Sequence, residues 1–408
     1  MSVPLFCSWK ERLAAFGVLL SIFLVNLALE YRTYQNFWSK KPHYTEAEVL
    51  NQYNKNNYWV LKLRTKEGVL FYTTSREDLK DLRGREVELL VFGKKPSFFD
   101  YLRSFYAPSY ILGLLPKSLR QSLWQKIASQ HRNQLAKELF GALFLAMPLQ
   151  YDYRQMLSLF GISHLVAISG FHMGLLFATL AFVFYFLLRP IWQRLWPWAN
   201  LKKVVFILAF GIVVGYAIFL GFVPSVIRSV MMMGVGLFML DRGVRLLSFE
   251  TLGWIVLLVL AFWPRLLWSV GFWFSVAGVF YIYLFLHHFR LSKLWTFLLL
   301  NVWVFLAMLP LSLFVFGIWH PMMLLSPLLS ALFVLFYPLA LLLHLLGYGG
   351  ILDGVVELLT WAGQGIKVDL SLWLFGLYIL ASLIAMWRLE ALYGAYGAVA
   401  IFLIYQIA

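Results

Sequence analysis

Two histidines, two serines and three glycines interrupt an apolar run in Gly161-Ile-Ser-His-Leu-Val-Ala-Ile-Ser-Gly-Phe-His-Met-Gly174. Polar and ionisable groups among such neighbours are costly in hydrocarbon, and usually face a partner or a water-filled path. Ser169 and His172 stand three residues apart and share a helical face, so a hydroxyl and an imidazole can act together on a proton or an anion. His164 lies about 80° from His172 if the helix is continuous. The plain alternative is a histidine hydrogen-bonded between helices, with Gly170 and Gly174 as a close-packing pair. No third His, Cys or carboxylate stands at ligand spacing in the stretch, so no metal is expected there.

Arg228 is a second anomaly, in Pro224-Ser225-Val-Ile-Arg228-Ser-Val-Met-Met-Met. It lies about one turn inside an apolar segment, where it either serves a polar path or snorkels to the headgroups. The third is Ser269-Val-Gly-Phe272-Trp-Phe-Ser275, in which small and aromatic residues alternate. Ordinary helix packing would also account for that pattern.

The motifs of familiar catalytic machinery are missing: no Gly-x-x-x-x-Gly-Lys-Ser/Thr loop, no Gly-x-Ser-x-Gly elbow, no His-Glu-x-x-His. No cofactor and no catalytic residue is therefore expected. Cys7 is the single cysteine, which excludes internal disulfides and cysteine-rich metal sites.

The elements that must carry these residues are set by composition. Apolar residues make up 62% of the 408 positions and charged ones 13%, and the net charge is +15. A soluble chain has roughly 45–50% and 25%, so most of this one must lie in lipid. The charge is uneven: residues 31–135 hold 18 Lys/Arg and 9 Asp/Glu, against 14 and 8 in residues 136–408. A soluble island ending near 135 follows. Residues 13–29, preceded by Lys10 and Arg12, read as a retained signal anchor within residues 1–30, which puts the N-terminus inside and the island outside.

Beyond the island, basic loops alternate with uncharged tips. Arg189, Arg194, Lys202 and Lys203 mark one inner loop, Arg242 and Arg245 a second, and Arg290 and Lys293, beside His287 and His288, a third. Spans over 204–220, 226–240, 251–263, 269–286 and 295–317 follow. Residues 156–188 are too long for one span, at about 50 Å as a helix, so a break is expected at Ser169-Gly170. Residues 156–168 are then re-entrant or interfacial, and 371–387 with 391–407 reads as a final hairpin. The expected fold class is a polytopic α-helical membrane protein with a small OB-like β-barrel domain outside the membrane. Its parts are an anchor (1–30), a basic domain (31–110), an amphipathic connector (111–155) and the polytopic core (156–408).

The island has strand periodicity. Trp59, Leu61 and Leu63 point one way and Lys62 and Arg64 the other. Lys66-Glu67-Gly68 reads as a hairpin turn, and Val87, Leu89 and Val91 alternate in a further strand. Ser75 with Asp78 resembles a capping box for a short helix ending near Gly84. Three or four strands and one helix suit a barrel of the OB or SH3-like type. Trp59, Lys62, Arg64, Lys66, Arg76 and Arg85 mix cations with nearby rings such as Tyr58 and Tyr72, the combination that holds single-stranded nucleic acid. Interleaved Glu67, Glu77, Asp81 and Glu86 leave a merely solvated face as the alternative.

The three anomalies, in this order, resemble the polytopic core of the ComEC family of competence proteins, which imports transforming DNA across the bacterial inner membrane. Its Gly-x-Ser-His-Leu-x-Ala-x-Ser-Gly-x-His pattern is matched from Gly161 to His172. Its Pro-Ser-x-x-Arg element is matched by Pro224, Ser225 and Arg228, and its Gly-Phe-x-x-Ser by Gly271, Phe272 and Ser275. Leu309-Pro310-Leu311 matches a fourth element. The resemblance implies an inner-membrane channel for single-stranded DNA, with His164, Ser169, His172, Ser225, Arg228, Phe272 and Ser275 along the DNA path. It also implies a periplasmic DNA receptor, a cytoplasmic DNA-translocating ATPase, and single-strand-binding or recombination proteins as partners, with membrane lipid around it and a homodimer as a candidate assembly. Many members end in a metallo-β-lactamase-like domain; here the sequence ends after the apolar hairpin, so a nuclease is expected to be a separate protein or absent. Ser326 to Ser330 stands where members often carry an Asn. The family's frequent outer-domain disulfide cannot form with Cys7 alone.

A DNA strand carries one charge per nucleotide and needs a wet lumen with dispersed cationic or hydrogen-bonding groups. With no nucleotide site in the chain, pulling would come from a motor or from protonation of His164 or His172. The alternative reading is a small-molecule or lipid transporter using the broken helix at Ser169-Gly170 as a midplane site.

Overall fold

A computed structural model describes residues 8–39, 43–55, 58–77, 79–221, 224–241, 248–361 and 363–407. Helix α1 (Trp9–Ser39) is followed by strands β1 (His43–Lys55), β2 (Tyr58–Thr65), β3 (Leu70–Ser75) and β4 (Glu86–Val91), helix α2 (Phe98–Arg103), and strands β5 (Phe105–Tyr106) and β6 (Ser109–Leu114). The sheet order is β5-β3-β2-β1-β4-β6, with β5 parallel to β3 and β6 antiparallel to β4. Since β5 and β6 are separated only by Ala107 and Pro108, they act as one fifth strand that closes the sheet on itself. The barrel thus runs to Leu114, four residues past the expected boundary at 110.

Two features of this domain differ from the sequence reading. The long strand β1 was not expected, because a bulge between Val49 and Asn51 breaks its alternation. No helix forms among the described residues of 76–84, and Asp78 lies outside the described residues. The barrel core is instead covered by the last turns of α1, whose Tyr34, Phe37 and Trp38 are buried with Leu61, Leu63, Phe71, Val87 and Leu89. Segment 79–84 joins the same core without forming a helix: Leu82 is buried in it, Leu79 packs against it, and the Gln52 amide donates to the Lys80 carbonyl and accepts from the Leu82 N–H. It carries Arg83 and Gly84 outward to the next layer.

That layer is helices α3 (Leu119–Ala128) and α4 (Gln134–Leu145), an antiparallel pair against the barrel. Ser118 and Gln121 form a capping box at the start of α3. Arg83 bonds Glu138 of α4 at 3.0 Å and Asp81 at 2.6 Å, and Glu138 is 4% exposed. Burial works against the charge of Arg83, but its two carboxylate partners raise its pKa. Burial likewise opposes ionisation of Asp81, and Arg83 outweighs it, holding the Asp81 carboxyl below the usual range.

The remainder is helical: α5 (Tyr151–Leu159), α6 (Ser163–Val166), α7 (Gly170–Leu195), α8 (Leu201–Phe219), α9 (Pro224–Asp241), α10 (Phe249–Phe262), α11 (Val270–His288) and α12 (Lys293–Phe316). After these come strand β7 (Ile318–Trp319), α13 (Ser326–Leu345), α14 (Asp353–Glu357), β8 (Ile366–Lys367), α15 (Leu372–Ile384) and α16 (Glu390–Ile407). By length and composition six described helices are long and apolar enough to cross a bilayer, and four shorter apolar helices accompany them. The chain is a multi-pass membrane protein with a small β domain. The expected inner loop holding Arg242 and Arg245 lies outside the described residues.

Contacts fix which helix ends share a face. Arg265, in the turn between α10 and α11, donates to Glu30 of α1 and Tyr101 of α2, each at 2.7 Å, and to the Gly68 carbonyl. At the opposite ends of the same helices Arg12 pairs with Glu250 at 3.1 Å. The turn at 264–268 therefore lies on the β-domain side. So does Gly221 at the end of α8, where an added Cβ would sit 3.7 Å from Nη2 of Arg64. Burial pushes the Tyr101 phenol up to about 12, only partly offset by Arg265 beside it.

Helix α13 has the length and apolarity of a span, yet the chain ends up on the face where it started. Strands β7 and β8, which precede and follow it, pair with each other, Ile318 opposite Lys367 and Trp319 opposite Ile366. Ser326 at its start donates to the Gly161 carbonyl at 3.0 Å. His344 at its end meets His131 of the α3–α4 turn, Nε2 to Nε2, at 2.9 Å. All these partners belong to the β-domain side, so α13 runs along that face. The final hairpin then returns through the body, with Tyr378 of α15 bonding the Ala307 carbonyl at 2.8 Å and Gln406 of α16 meeting Asp369 at 3.1 Å.

Candidate functional site

The break expected at Ser169-Gly170 is a helix start. Ser169 has φ −128° and ψ 177°, and α7 begins at Gly170. His172 occupies the third position of the helix, and the Ser169 N–H donates to its Nδ1 at 3.3 Å while the Ser169 hydroxyl lies 3.0 Å from the same nitrogen. With Nδ1 accepting, a neutral ring carries its proton on Nε2. That nitrogen is buried without a hydrogen-bond partner, in a side chain that is fully buried. The ring stands edge-to-face against Phe333 and Tyr337 of α13, with centroids 5.1 Å from each.

One stripe of α13 reads the whole of this first motif. Ser326 holds Gly161, Ser330 Oγ lies 3.5 Å from Nε2 of His164, and Phe333 and Tyr337 face His172. Gly161 has φ +66°, and a Cβ there would stand 3.2 Å from the Cβ of Ser326. A glycine is required on both counts. His164 is exposed. Ala167 and Gly170 are exposed beside it.

Motif two meets motif one at its small residues. A Cβ at Gly170 would lie 3.3 Å from Oγ of Ser229, whose hydroxyl donates to the Ser225 carbonyl at 2.7 Å. Gly174 has nothing within 4 Å of such a Cβ, so α7 approaches α9 closely at one glycine and not at a pair.

Motif two meets motif three through Arg228. The side chain is 5% exposed, and its Nη1 donates to the Gly271 carbonyl at 3.2 Å. Its guanidinium carbon lies 6.0 Å from the Phe272 ring centroid, and Nε has no hydrogen-bond partner. Phe272 is 1% exposed and packs with Ile255, Val259 and Leu266, so it is a platform beneath the cation. Ser225 and Ser275 are half-buried. His164, Ser169, His172, Ser225, Arg228 and Phe272 thus gather at the β-domain-side ends of α6, α7, α9 and α11. What the arrangement supplies is two buried nitrogens with unused donor capacity, next to an accessible imidazole.

The cations of the β domain are mostly engaged. Arg64 bonds Glu48 at 2.7 Å, and Arg120 bonds the same carboxylate at 2.9 Å. Lys66 pairs with Glu46, and Arg85 donates to the Leu115 carbonyl at 3.2 Å. Lys62 stands over the cross-strand Tyr72 ring at 5.3 Å, Trp59 is half-buried, and Arg76 is exposed. These residues are not gathered into one pocket.

Sequence reasoning noted Ser326 to Ser330 only as a departure from the family's Asn, and did not single out Ser229, Tyr337 or the cluster of His131, His344 and Asp353. Nδ1 of His131 is 2.7 Å from Asp353, and the Arg132 N–H donates to the same carboxylate at 2.9 Å. His344 donates from Nδ1 to the Ala340 carbonyl at 2.6 Å, leaving its Nε2 as the acceptor toward His131. More than two hundred residues separate these partners, so no local spacing could have signalled them.

No curated protein and no solved structure shows a significant match to the chain. The family model described as "Competence protein" matches residues 147–408, which takes in every one of the four motifs and the site they build, and the chain belongs to that family.

Proposed function

We propose that this protein is the inner-membrane channel that admits a single strand of transforming DNA during natural competence. Family membership supports a role in competence. The channel reading rests on one observation above all: Arg228 is buried among apolar helices with part of its donor capacity unused. An unpaired buried cation is costly, and is tolerated where an anion visits. Phosphates passing the outer ends of α7, α9 and α11 would meet Arg228, with His164 and Ser169 as weaker, wet contacts. A few spaced sites of this kind can accept each phosphate and release it.

In this reading the β domain is of the OB type and periplasmic, and the N-terminus is cytoplasmic. The strand order, with a parallel β3–β5 contact closing the barrel, supports the first. Lys and Arg in the loops opposite the β domain support the second. Trp59, Lys62 and Arg76 are the groups of that domain best placed to meet DNA. The chain's own residues bind and guide; the driving force comes from a cytoplasmic DNA-translocating ATPase, with a receptor delivering DNA outside and single-strand-binding or recombination proteins receiving it.

The test is a deletion strain complemented by the full chain or by an Arg228→Met variant. Binding of duplex DNA at the cell surface should stay intact in all strains, while nuclease-protected label inside falls to background in the deletion strain and by about tenfold to a hundredfold with Arg228→Met. Unchanged transformation in the deletion strain would overturn the channel reading.

A further inference from the structure

On the face opposite the β domain, the end of α7 and the start of α8 enclose a cavity of ≈ 380 Å³ lined by Tyr185, Arg189, Trp192, Gln193, Asn200 and Lys202 among others. That size is in the range of small-ligand sites, roughly 300–1,000 Å³. Residues 189–203 contain four cations, three tryptophans and no Asp or Glu. Arg189 and Lys202 are exposed, and neither makes an ion pair among the described residues. The wall is built: Trp192 Nε1–H donates to the Ala199 carbonyl at 3.0 Å, and its ring packs on Trp196 with centroids 5.1 Å apart. Asn200 caps α8 by accepting from the Lys203 N–H.

The approach to this cavity is apolar. Phe182 and Phe186 are 72% and 74% exposed. They lie four residues apart, on the helical face that continues three residues on to Arg189 and four more to Gln193. Two bare phenylalanines leading to two unpaired cations under a tryptophan rim match a molecule with a long hydrocarbon tail and an anionic head.

We propose that this cavity is a binding site for the phosphate of an anionic glycerophospholipid, with an acyl chain lying along Phe182 and Phe186. Arg189 and Lys202 hold the phosphate, Gln193 and Asn200 bond the glycerol oxygens, and Trp192 sets the depth of the headgroup. A nucleic-acid phosphate has no use for the phenylalanine stripe, which favours the lipid. The site is independent of the DNA-channel reading.

The experiment uses the full chain in an uncharged detergent, with phosphatidylglycerol and chain-matched phosphatidylcholine as probes and native mass spectrometry as the readout. Wild type should retain phosphatidylglycerol preferentially. Each cation beside an anionic headgroup contributes about fivefold, so an R189Q/K202Q variant should lose about 25-fold in apparent affinity. R189K/K202R should keep the preference, and F182A/F186A should weaken both lipids alike. An R290Q/K293Q variant, altered in another basic loop, should behave as wild type. Equal retention of the two lipids by wild type would overturn the proposal. So would loss of preference in R290Q/K293Q alone, or displacement of phosphatidylglycerol by inorganic phosphate or an oligothymidylate at equal concentration.

Discussion

The Nη1 of Arg228 in α9 donates to the backbone carbonyl of Gly271 in α11 at 3.2 Å. A carbonyl is half a partner for a guanidinium. It orients the group without neutralising it, and Phe272 supports one side at 6.0 Å. The charge stays available to a visiting anion. Arg228→Met removes charge and donors while keeping much of the volume. DNA import should fall by about tenfold to a hundredfold, the worth of a charged hydrogen bond of about 1.5–3 kcal/mol. Arg228→Lys should retain part of it. Transformation frequency normalised to membrane abundance is the measurement, and equal import by Met and Lys variants would show that the charge is idle.

Glycines in the first motif are predicted to differ sharply. At Gly161 a side chain meets φ +66° and a Cβ contact at 3.2 Å with Ser326, a residue that is itself 1% exposed. Gly161→Ala should lower stability by about 1–3 kcal/mol and loosen α13 from His164. At Gly174 there is open space, and Gly174→Ala should be neutral or slightly stabilising, since alanine favours helix by about 1 kcal/mol. Thermal unfolding of the two purified variants against wild type separates them.

The cluster holding the end of α13 gives a pH dependence of known sign. Burial raises the Asp353 pKa, but hydrogen bonds from the Arg132 N–H and His131 outweigh it and hold the carboxyl below the usual range. A depressed carboxyl contributes stability above its unfolded value of about 3.9, and that contribution is lost as pH falls through the folded value. Asp353→Asn should therefore lower the unfolding temperature at pH 6–7, and the gap to wild type should narrow as pH falls below about 4. Parallel curves across that window would mean that Asp353 does not ionise differently on folding.

Helix α13 supplies a topological prediction that hydropathy alone would reverse. In a Cys7→Ser background, single cysteines at Lys80, His320 and Tyr348 should react with an impermeant maleimide from one side of the membrane. Cysteines at Arg194 and Arg290 should react only from the other. If Tyr348→Cys labels with Arg194→Cys, α13 crosses.

Much of this was legible because the membrane writes simple rules. The basic loops at Arg189, Lys202, Arg290 and Lys293 marked helix ends well enough to place α8, α10, α11 and α12 within a few residues, and Ser169-Gly170 marked the start of α7. Motif spacing picked out Gly161, His172 and Arg228 because polar residues stand out against apolar ones. What stayed hidden depends on contacts between distant segments. Ser326 and Ser330 stood out only as a departure from the family's Asn, and their contacts with Gly161 and His164 come from α13 lying over the first motif. Strand β1 was hidden by its bulge at Val49 to Asn51. In place of the expected helix ending near Gly84, the described residues of that segment run past Gln52 of β1, whose amide bonds the Lys80 carbonyl and the Leu82 N–H, and α1, read as a membrane anchor alone, adds Tyr34, Phe37 and Trp38 to the same core.

The pairing of Ile318-Trp319 with Ile366-Lys367 also bears on how the chain is made. A translocon meeting Pro321–Leu345 alone finds 25 residues that include an 18-residue window of mean hydropathy 2.3, a strong stop-transfer signal. The strand that ties both of its ends to one side is synthesised only afterwards. The insertion machinery must therefore release a segment it would ordinarily commit to the bilayer, or let it re-emerge once β8 is available. Pro338 in its middle, and Ser326 and His344 at its ends, are the residues that make such a release affordable.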